Sequence, residues 1–193
     1  MVKTLNIYLF RHGQTTYNRD EKFTGWHDPK LTNLGTKQAQ TIAKLLKNKK
    51  FQVSFHTHLK RSKQTLKEVL RYHPECKKLI QDDRMIERNY GNLNGTPHKD
   101  LIKKEGIEHY NKIHRSYSIS PPKGESFAMV EKRVQSFMKD LLKLMKKEQI
   151  SVAISAHGNS IRLFRKIVEK ASISKTTSWV IPYDKVFTYK VKV

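Results

Sequence analysis

Cysteine, acidic residues and long hydrophobic segments are all scarce in this chain of 193 residues. The single cysteine, Cys76, excludes an internal disulfide and offers no ligand spacing for zinc. No apolar run approaches the roughly 20 residues of a membrane-spanning helix, and the apolar segment Leu5–Phe10 runs directly into Arg11, unlike a signal peptide. The length suits one domain with a sizeable core. We therefore expect a single soluble domain over residues 1–193, in the reducing cytoplasm and without a membrane partner.

The shortage of acidic residues leaves a large positive charge. Lys and Arg number 39 against 17 Asp and Glu, so the formal net charge is +22. Such an excess suggests nucleic-acid binding, which depends on Lys and Arg. The 29 lysines are, however, spread over most predicted helices, and the sequence contains no zinc finger, no aromatic RNA-binding signature and no arginine-rich stripe. This distribution favours a solvated lysine-rich surface and predicts no nucleic-acid partner, although the positive field would attract small anions.

Short apolar runs alternate with helical patterns along the chain, which is typical of an α/β fold. Strands are predicted at 5–10, 51–55, 78–81 and 150–155, with a final, edge strand at 186–193. Helices are predicted after Thr32 and over 60–72, 126–147 and 159–170. We expect a three-layer α/β/α sandwich with a mostly parallel central sheet. The polar, proline-containing stretch from about 91 to 124, with a weakly amphipathic helix near 99–113, is a candidate lid over a substrate site.

Two predicted strands end in similar sequences. The first ends in Arg11-His12-Gly13 and the fourth in Ala156-His157-Gly158, at the carboxyl end of parallel strands where open α/β sheets bind ligands. The glycine lets a ligand approach the backbone, and the following helix start offers N–H groups to an anion. Arg11 and Arg61 could supply forked donors for phosphate oxygens. Because the His-Gly pair occurs at the ends of two strands, we favour an anion-binding role for these histidines over a purely structural one.

The two histidines and Glu87 each allow an alternative interpretation. Histidine pairs also bind metals, but no Asp, Glu or Cys stands at ligand spacing beside His12 or His157, so no metal site is predicted. Glu87, in the segment Glu87–Gly91, is either a surface or helix-end charge or a carboxyl group that donates a proton to a leaving oxygen. The sequence position alone does not separate these two roles for Glu87.

Taken together, the motifs resemble those of the histidine phosphatase superfamily, and within it the cofactor-dependent phosphoglycerate mutases. The resemblance covers nearly the whole chain and follows one order. It comprises Arg11–Thr15; Phe23–Asp28 with Leu31-Thr32 and Gly35; Leu59–Arg61 with Gln64-Thr65; Glu87–Gly95; Arg115–Tyr117 ahead of Pro121-Pro122; Gly124–Ser126; and His157–Arg162. Each motif is weak alone, whereas the ordered set is specific.

The resemblance implies roles for individual residues. His12 would be the nucleophile, with one ring nitrogen held as N–H by a backbone carbonyl, and Glu87 would be the acid and then the base for the substrate oxygen. Arg11, Arg61 and His157 would bind the transferring phosphoryl group without a metal. The implied substrate contacts are Asn18, Thr24, Gly25, Arg88, Tyr90, Lys99, Arg115, Gly158 and Asn159. The partner would be a small phosphorylated molecule, with 2,3-bisphosphoglycerate as priming phosphate donor; nothing in the pattern specifies an oligomer.

Three departures bear on the reaction. Where the mutases usually have two adjacent arginines, this chain has His114 and Arg115; where they have a lysine, it has His98, followed by Lys99. Only Lys123 separates Pro122 from Gly124, so the covering segments are short, as in the phosphatase branch. The motif set favours a phosphoglycerate mutase of glycolysis and gluconeogenesis. The alternative is a metal-independent phosphatase acting on small phosphate monoesters. A basic binding protein without activity is disfavoured, because all five implied catalytic groups are present.

Overall fold

Five strands form one sheet in the order β3-β2-β4-β1-β5. The structure is a computed structural model that describes residues 3–193. The strands are β1 (Thr4–Arg11), β2 (Val53–His56), β3 (Lys78–Gln81), β4 (Val152–Ala156) and β5 (Val186–Lys192). The first four run parallel, and β5 pairs antiparallel with β1 at one edge. The central strand β4 is buried along its whole length because helices cover both faces of the sheet, whereas the edge strand β3 is largely exposed.

Helices pack against both faces of this sheet. They are α1 (Thr16–Arg19), α2 (Asn33–Leu46), α3 (Lys60–Leu70), α4 (His98–Arg115), α5 (Phe127–Glu148), α6 (Gly158–Glu169) and α7 (Ile173–Ser178). On one face, α2 and α3 bury Ile42 and Leu66 against Phe10 of β1. On the other face, α5 and α6 bury Phe137 and Phe164 in the larger core cluster. The predicted three-layer sandwich with a mostly parallel sheet is confirmed.

The element boundaries follow local physical chemistry. The hydroxyl of Thr32 accepts from the backbone N–H of Gly35 and caps α2, and Ser126 caps α5 in the same way through Met129. The second strand begins at Val53 rather than at the predicted 51, although Phe51 is fully buried. The short helices α1 and α7 were not predicted, because four and six residues are too few to show an apolar period.

The candidate lid, 91–124, contains α4 and packs on a small core of its own. Leu101 of α4 lies against Phe23 and Tyr90, apart from the two main clusters. Gly106 interrupts α4 with a φ of 85° and ψ of 161°, and a Cβ there would meet nothing within 4 Å. The end of the segment is bound to other elements as well, because Arg115 donates to the carbonyl of Thr177 and the hydroxyl of Tyr117 donates to Glu131 of α5. Among residues 3–193, no helix is both long and apolar enough to cross a bilayer.

Candidate active site

The two strand-end histidines lie side by side. Arg11 is the register partner of Ala156 in the parallel pairing of β1 with β4, so the residues that follow, His12 and His157, leave the sheet at the same level. Their ring centroids are 5.0 Å apart, and their residues are 1% and 0% exposed. The backbone N–H of His12 donates to the carbonyl of Ala156 at 3.0 Å. The sheet register thus brings together two imidazoles that are 145 positions apart in the sequence.

Hydrogen bonds fix the tautomer of His12. Its Nδ1 lies 2.7 Å from the carbonyl oxygen of Gly13, which can only accept, so Nδ1 carries the hydrogen. Its Nε2 accepts from Nε of Arg61 at 3.2 Å. Burial, followed by the positive charges of Arg61 and Arg11, lowers the pKa of His12 well below its usual value. The imidazole is therefore neutral, with its lone pair on Nε2, which is the form that a nucleophile requires.

The side chain of His157 is hydrogen-bonded by the residue that follows β2. Its Nε2 shares a hydrogen bond of 2.9 Å with Oγ1 of Thr57, which follows β2. Burial and the neighbouring charge of Arg61 lower the pKa of His157 well below its usual value. Sequence reasoning did not select Thr57, although its place just after a predicted parallel strand was an available signal.

Arg61 is a buried cation whose three nitrogens are all engaged. Besides its bond to His12, it donates from Nη1 to the carbonyl of His27 at 2.6 Å and from Nη2 to the carbonyl of Gly25 at 2.8 Å. Asp28 lies 3.7 Å from Nη1. Burial lowers the pKa of Arg61 to about 10, so the guanidinium remains charged at neutral pH. Gly25 has a φ of 46°, and a Cβ there would lie 2.0 Å from Oδ1 of Asn94, so only glycine fits at this contact.

Arg11 is a second guanidinium whose charge acts on His12. Its Nη1 donates to the carbonyl of Ile181 at 2.9 Å, and its guanidinium lies 4.0 Å from the ring centroid of Tyr183. Both partners belong to the connection between α7 and β5, which the sequence did not mark as functional. The connection therefore orients Arg11 toward the histidine pair.

Glu87 presents one carboxylate oxygen to the site. Its Oε1 accepts from the backbone N–H groups of Arg88 at 2.8 Å and Asn159 at 3.0 Å. Its Oε2 lies on the side of Gly158: a Cβ on that glycine would be 3.4 Å from Oε2 and 3.6 Å from Cζ of Arg11. The absent side chain of Gly158 thus leaves open the space where Glu87 and Arg11 converge. Because Oε1 is occupied by two donors, Oε2 is the oxygen that can carry and transfer a proton.

A second group of contacts holds the main chain around Glu87. Arg133 of α5 donates from Nη1 to the carbonyls of Arg84 and Ile86 and from Nη2 to the carbonyl of Glu87. The same guanidinium forms an ion pair with Glu125, with 3.0 Å between Nε and Oε1. Arg133 therefore fixes the backbone from which the Glu87 side chain projects.

A cavity of about 130 Å³ opens above Glu87 and Arg11. It is lined by mostly polar and charged residues from six parts of the chain: Arg11, Asn18, Lys22, Phe23, Thr24, Gly25, Glu87, Tyr90, His98, His114, Gly158, Asn159, Arg162 and Ile181. The expected residues Asn18, Thr24, Gly25, Tyr90, Gly158 and Asn159 are all among them. His12, Arg61 and His157 are buried and are not among the lining residues, although Arg11, which precedes His12, is.

Three expected substrate ligands do not line the cavity. The guanidinium of Arg88 is fully buried and donates to main-chain carbonyls, including that of Glu125 at 2.6 Å. Arg115 donates from Nη1 to the carbonyl of Thr177 at 2.7 Å, and Lys99 is exposed. Their neighbours His98 and His114 line the wall instead.

Arg162 lines the cavity although it is not among the predicted site residues. It belongs to the motif His157–Arg162. Its Nη1 donates to Oδ1 of Asn159 at 2.5 Å, and its Nε donates to the carbonyl of Trp179 at 2.8 Å. Burial lowers the pKa of Arg162 to about 10. Its position three residues after Asn159 on α6, and so on the same helix face, could have predicted it.

A larger groove of about 630 Å³ lies elsewhere, between α2 and α3. Its walls carry Lys60, Lys67 and Arg71 together with Asp28 and Glu68, but no histidine. Of the proposed reacting groups, Arg11 and Glu87 line the smaller cavity, and none lines this groove. Within the part of the chain that the structure describes, no three His, Cys, Asp or Glu side chains are grouped closely enough to hold a metal ion.

Comparison with known proteins gives a consistent family result. The family model of the histidine phosphatase superfamily (branch 1) matches residues 7–191. A 2,3-bisphosphoglycerate-dependent phosphoglycerate mutase of Parvibaculum lavamentivorans is 36% identical over 171 residues, which cover 86% of this chain and 80% of the relative.

Solved structures agree in fold but differ in activity. A phosphoglycerate mutase from Bacillus anthracis superposes with a TM-score of 0.82 at 21% identity, covering 98% of this chain and 89% of that one. A mycobacterial glucosyl-3-phosphoglycerate phosphatase has a TM-score of 0.78 at 21% identity, covering 91% and 84%. A mutase and a phosphatase thus share this fold, and the fold does not distinguish the two reactions.

Proposed function

This chain belongs to the histidine phosphatase superfamily (branch 1), and we propose that it is a phosphoglycerate mutase that interconverts 3-phosphoglycerate and 2-phosphoglycerate through phosphorylated His12. One observation carries the proposal. The Nε2 lone pair of a neutral, fully oriented His12 faces a cluster of cations, beside a carboxylate with one free oxygen. The mutase-named relatives, which are 28–36% identical over at least 81% of the chain, favour this substrate.

The first transfer uses His12 and Glu87 together. Nε2 of His12 forms a bond to phosphorus while the bond between phosphorus and the substrate oxygen breaks. Oε2 of Glu87 gives that oxygen its proton and is left ionised. Arg11 and Arg61 offset the negative charge on the equatorial phosphoryl oxygens, with His157 as a hydrogen-bonding neighbour. The cationic side chains thus perform the electrostatic role in this step.

The second transfer reverses the first, from phosphorylated His12 to the free hydroxyl of a bound monophosphoglycerate. The Glu87 carboxylate takes the proton of the attacking hydroxyl, whose oxygen forms a bond to phosphorus as the bond to His12 Nε2 breaks. Phosphorylated His12 has to be shielded from water until this happens. The 1% exposure of His12 and the position of α4 beside the cavity support such shielding, and we propose that 91–124 closes over the bound substrate.

The cavity also suits a doubly phosphorylated priming molecule. Arg11 lies at its inner end, and Lys22 and Arg162 stand among its other lining residues, so cations are available for two separate anionic groups. When bound, 2,3-bisphosphoglycerate would supply the phosphoryl group that loads His12. We infer that Arg11 and His12 hold the transferred end, with Lys22 and Arg162 toward the other end.

Phosphorus NMR tests the mutase directly. We expect 3-phosphoglycerate, with a trace of 2,3-bisphosphoglycerate, to be converted to an equilibrium mixture with 2-phosphoglycerate. His12→Ala should abolish both this conversion and the transfer of labelled phosphate to protein. A chelator should leave the rate unchanged. Formation of inorganic phosphate without any 2-phosphoglycerate would overturn the mutase proposal.

A second candidate, a phosphomonoesterase using the same His12 and Glu87, is favoured by two observations. The guanidinium groups of Arg88 and Arg115 are turned to main-chain carbonyls, so fewer permanent cations face a substrate carboxylate. The covering segment is short, with Lys123 alone between Pro122 and Gly124. Water would then attack phosphorylated His12. Release of phosphate from several simple esters in the same NMR experiment would support this candidate, and intact esters after long incubation would exclude it.

A further inference from the structure

Two histidines in the cavity wall have no part in the proposed reaction. His98 begins α4 and His114 lies near its end, and their ring centroids are 5.3 Å apart. Both line the cavity that Glu87 and Arg11 share. Nδ1 of His98 shares a hydrogen bond of 3.2 Å with the hydroxyl of Tyr110. The pair therefore forms a fixed polar patch on the lid side of the cavity.

Aromatic rings pack around this half-buried histidine pair. The ring of Phe23 lies 4.2 Å from that of His98 and 5.8 Å from that of His114, between centroids. Tyr110 stands 5.0 Å from His114, and Tyr90 stands 6.4 Å from it. Protonation of an imidazole in such surroundings is unfavourable unless an anion in the cavity pairs with the charge.

The charges around the pair are mostly positive. The titratable and charged groups that face it are Glu21 and Lys22 from the segment before Phe23, Arg88 and Tyr90 from the Glu87 segment, Tyr110 and Arg115 from α4, and Arg162 from α6. Burial and then Arg115 lower the pKa of His114 to about 3. Burial also lowers the pKa of His98, against the opposing effect of Glu21. Both imidazoles are consequently neutral at pH 7 in the free protein.

We propose that His98 and His114 form a proton-accepting subsite for a second anionic group of the substrate, remote from the phosphoryl group, so that the substrate binds together with about one proton. The proposal rests on the proposed function in one respect, namely that the substrate is a phosphate ester with a second anion. An anion placed between the rings and Arg162 would offset the cations that now oppose protonation. Two charged rings at 5.3 Å would repel each other, so the pair takes up one shared proton.

The subsite differs from one built of lysine or arginine in its response to pH. A permanent cation binds an anion equally well at pH 6 and pH 8. A site that takes up one proton loses affinity by up to about tenfold for each unit rise in pH. A ligand without the second anion gains nothing from that proton. The histidine pair therefore discriminates between substrates more strongly in mildly acidic solution.

Calorimetry of ligand binding tests the proposal without any phosphoryl transfer. The probes are 3-phosphonopropionate, which carries a carboxylate, and propylphosphonate, which does not; their phosphorus–carbon bonds cannot be cleaved by this chemistry. Titrating the full chain in buffers of different ionisation enthalpy gives the number of protons taken up with each ligand. Both ligands carry a phosphonate group that can itself exchange a proton on binding. The difference in proton uptake between the two ligands therefore reports on the carboxylate. We expect about one additional proton for 3-phosphonopropionate.

Variants assign the proton to these two residues. In His98→Gln/His114→Gln the additional proton should disappear, whereas His109→Gln, an exposed histidine of the same helix, should retain it. If the glutamine double variant does not fold, His98→Lys/His114→Arg replaces it and provides permanent cations. This variant should bind 3-phosphonopropionate without taking up the additional proton.

Equal proton uptake with both ligands would overturn the proposal. So would additional uptake that survives in the glutamine pair, or an affinity for 3-phosphonopropionate at pH 6 no greater than that for propylphosphonate. The proposed mutase reaction can fail independently, because its own test reads the product of 3-phosphoglycerate and not the protons that accompany binding.

Discussion

Nε of Arg61 donates a hydrogen bond to Nε2 of His12 at 3.2 Å, so the nitrogen proposed to attack phosphorus is paired with a cation in the free site. The other two nitrogens of the guanidinium are anchored on the carbonyls of Gly25 and His27. Arg61 consequently holds the nucleophile at one fixed position against the loop that lines the cavity. An incoming phosphoryl oxygen can replace Nε2 as the acceptor without any movement of the arginine.

Arg61→Lys should reduce the rate of His12 phosphorylation by about 10²–10³-fold, the usual effect of losing an oriented donor in a reacting site. Lysine retains the charge but cannot bind Gly25, His27 and His12 at once. The measurement is the rate of labelled-phosphate transfer to protein in a single turnover. Arg71→Lys, an exposed change just beyond the same helix, is the control and should leave that rate unaltered. A normal rate in Arg61→Lys would show that charge alone suffices.

Glu87→Gln should separate proton transfer from the positioning of His12. The amide oxygen can still accept from the N–H groups of Arg88 and Asn159, but the group has no proton to transfer. Phosphorylation by a phosphoglycerate should fall by about 10²–10⁴-fold. Phosphorylation by acetyl phosphate, whose acetate leaves without a proton, should fall by less than about tenfold.

Rapid-quench measurement of phosphorylated protein gives the rate with each of the two donors, and hence the fold-change that Glu87→Gln causes for each. The exposed Glu108→Gln should change neither rate. If both donors were slowed equally by Glu87→Gln, Glu87 would be a structural group and not the acid.

Arg133→Gln should destabilise the protein by roughly 3 kcal/mol, because it leaves Glu125 without its cation and removes the Arg133 donor from the carbonyls of Arg84 and Ile86. Urea unfolding followed by circular dichroism measures this loss. The neighbouring Lys132→Gln, an exposed change on the same helix, should shift the free energy of unfolding by no more than about 0.5 kcal/mol. Equal stability of the two variants would show that the Arg133 contacts contribute little.

Stability should fall as the pH is lowered below about 6.5. Burial and nearby arginines depress the pKa of His12 and of His157 in the folded chain. The unfolded chain therefore binds more protons than the folded chain below the ordinary histidine pKa of about 6.5, and protonation favours unfolding. Each of these two residues should cost roughly 1 kcal/mol at pH 5.5, and nothing above pH 7.5.

Urea midpoints between pH 5 and pH 8 check this pH dependence. His157→Asn should remove part of the slope between pH 5 and 6.5, whereas the exposed His58→Gln should preserve it. Stability that stays constant or increases between pH 7 and pH 5 would contradict the assignment of buried neutral imidazoles.

The sequence made the positions of His12 and His157 predictable because both follow short apolar strands, and parallel strands present their carboxyl ends at one edge of a sheet. It did not indicate that Thr57 would contact His157, or that Ile181 and Tyr183 would hold Arg11. Ile181 and Tyr183 belong to an irregular segment without an apolar period, and the contact of Thr57 depends on which strands are neighbours in the sheet. Their positions depend on how the sheet and helices pack.

The order of amino acids was enough to predict the fold class, most of the helices and strands and, through the family resemblance, the candidate set of His12, Glu87 and His157. Which neighbouring side chains line the cavity depended on three-dimensional packing. Consecutive helical residues project about 100° apart, so His98 faces the cavity while Lys99 is exposed. The sequence alone allowed Arg88 and Arg115 to bind either substrate or protein. In the structure both guanidinium groups donate hydrogen bonds to main-chain carbonyls, which need donors within the fold.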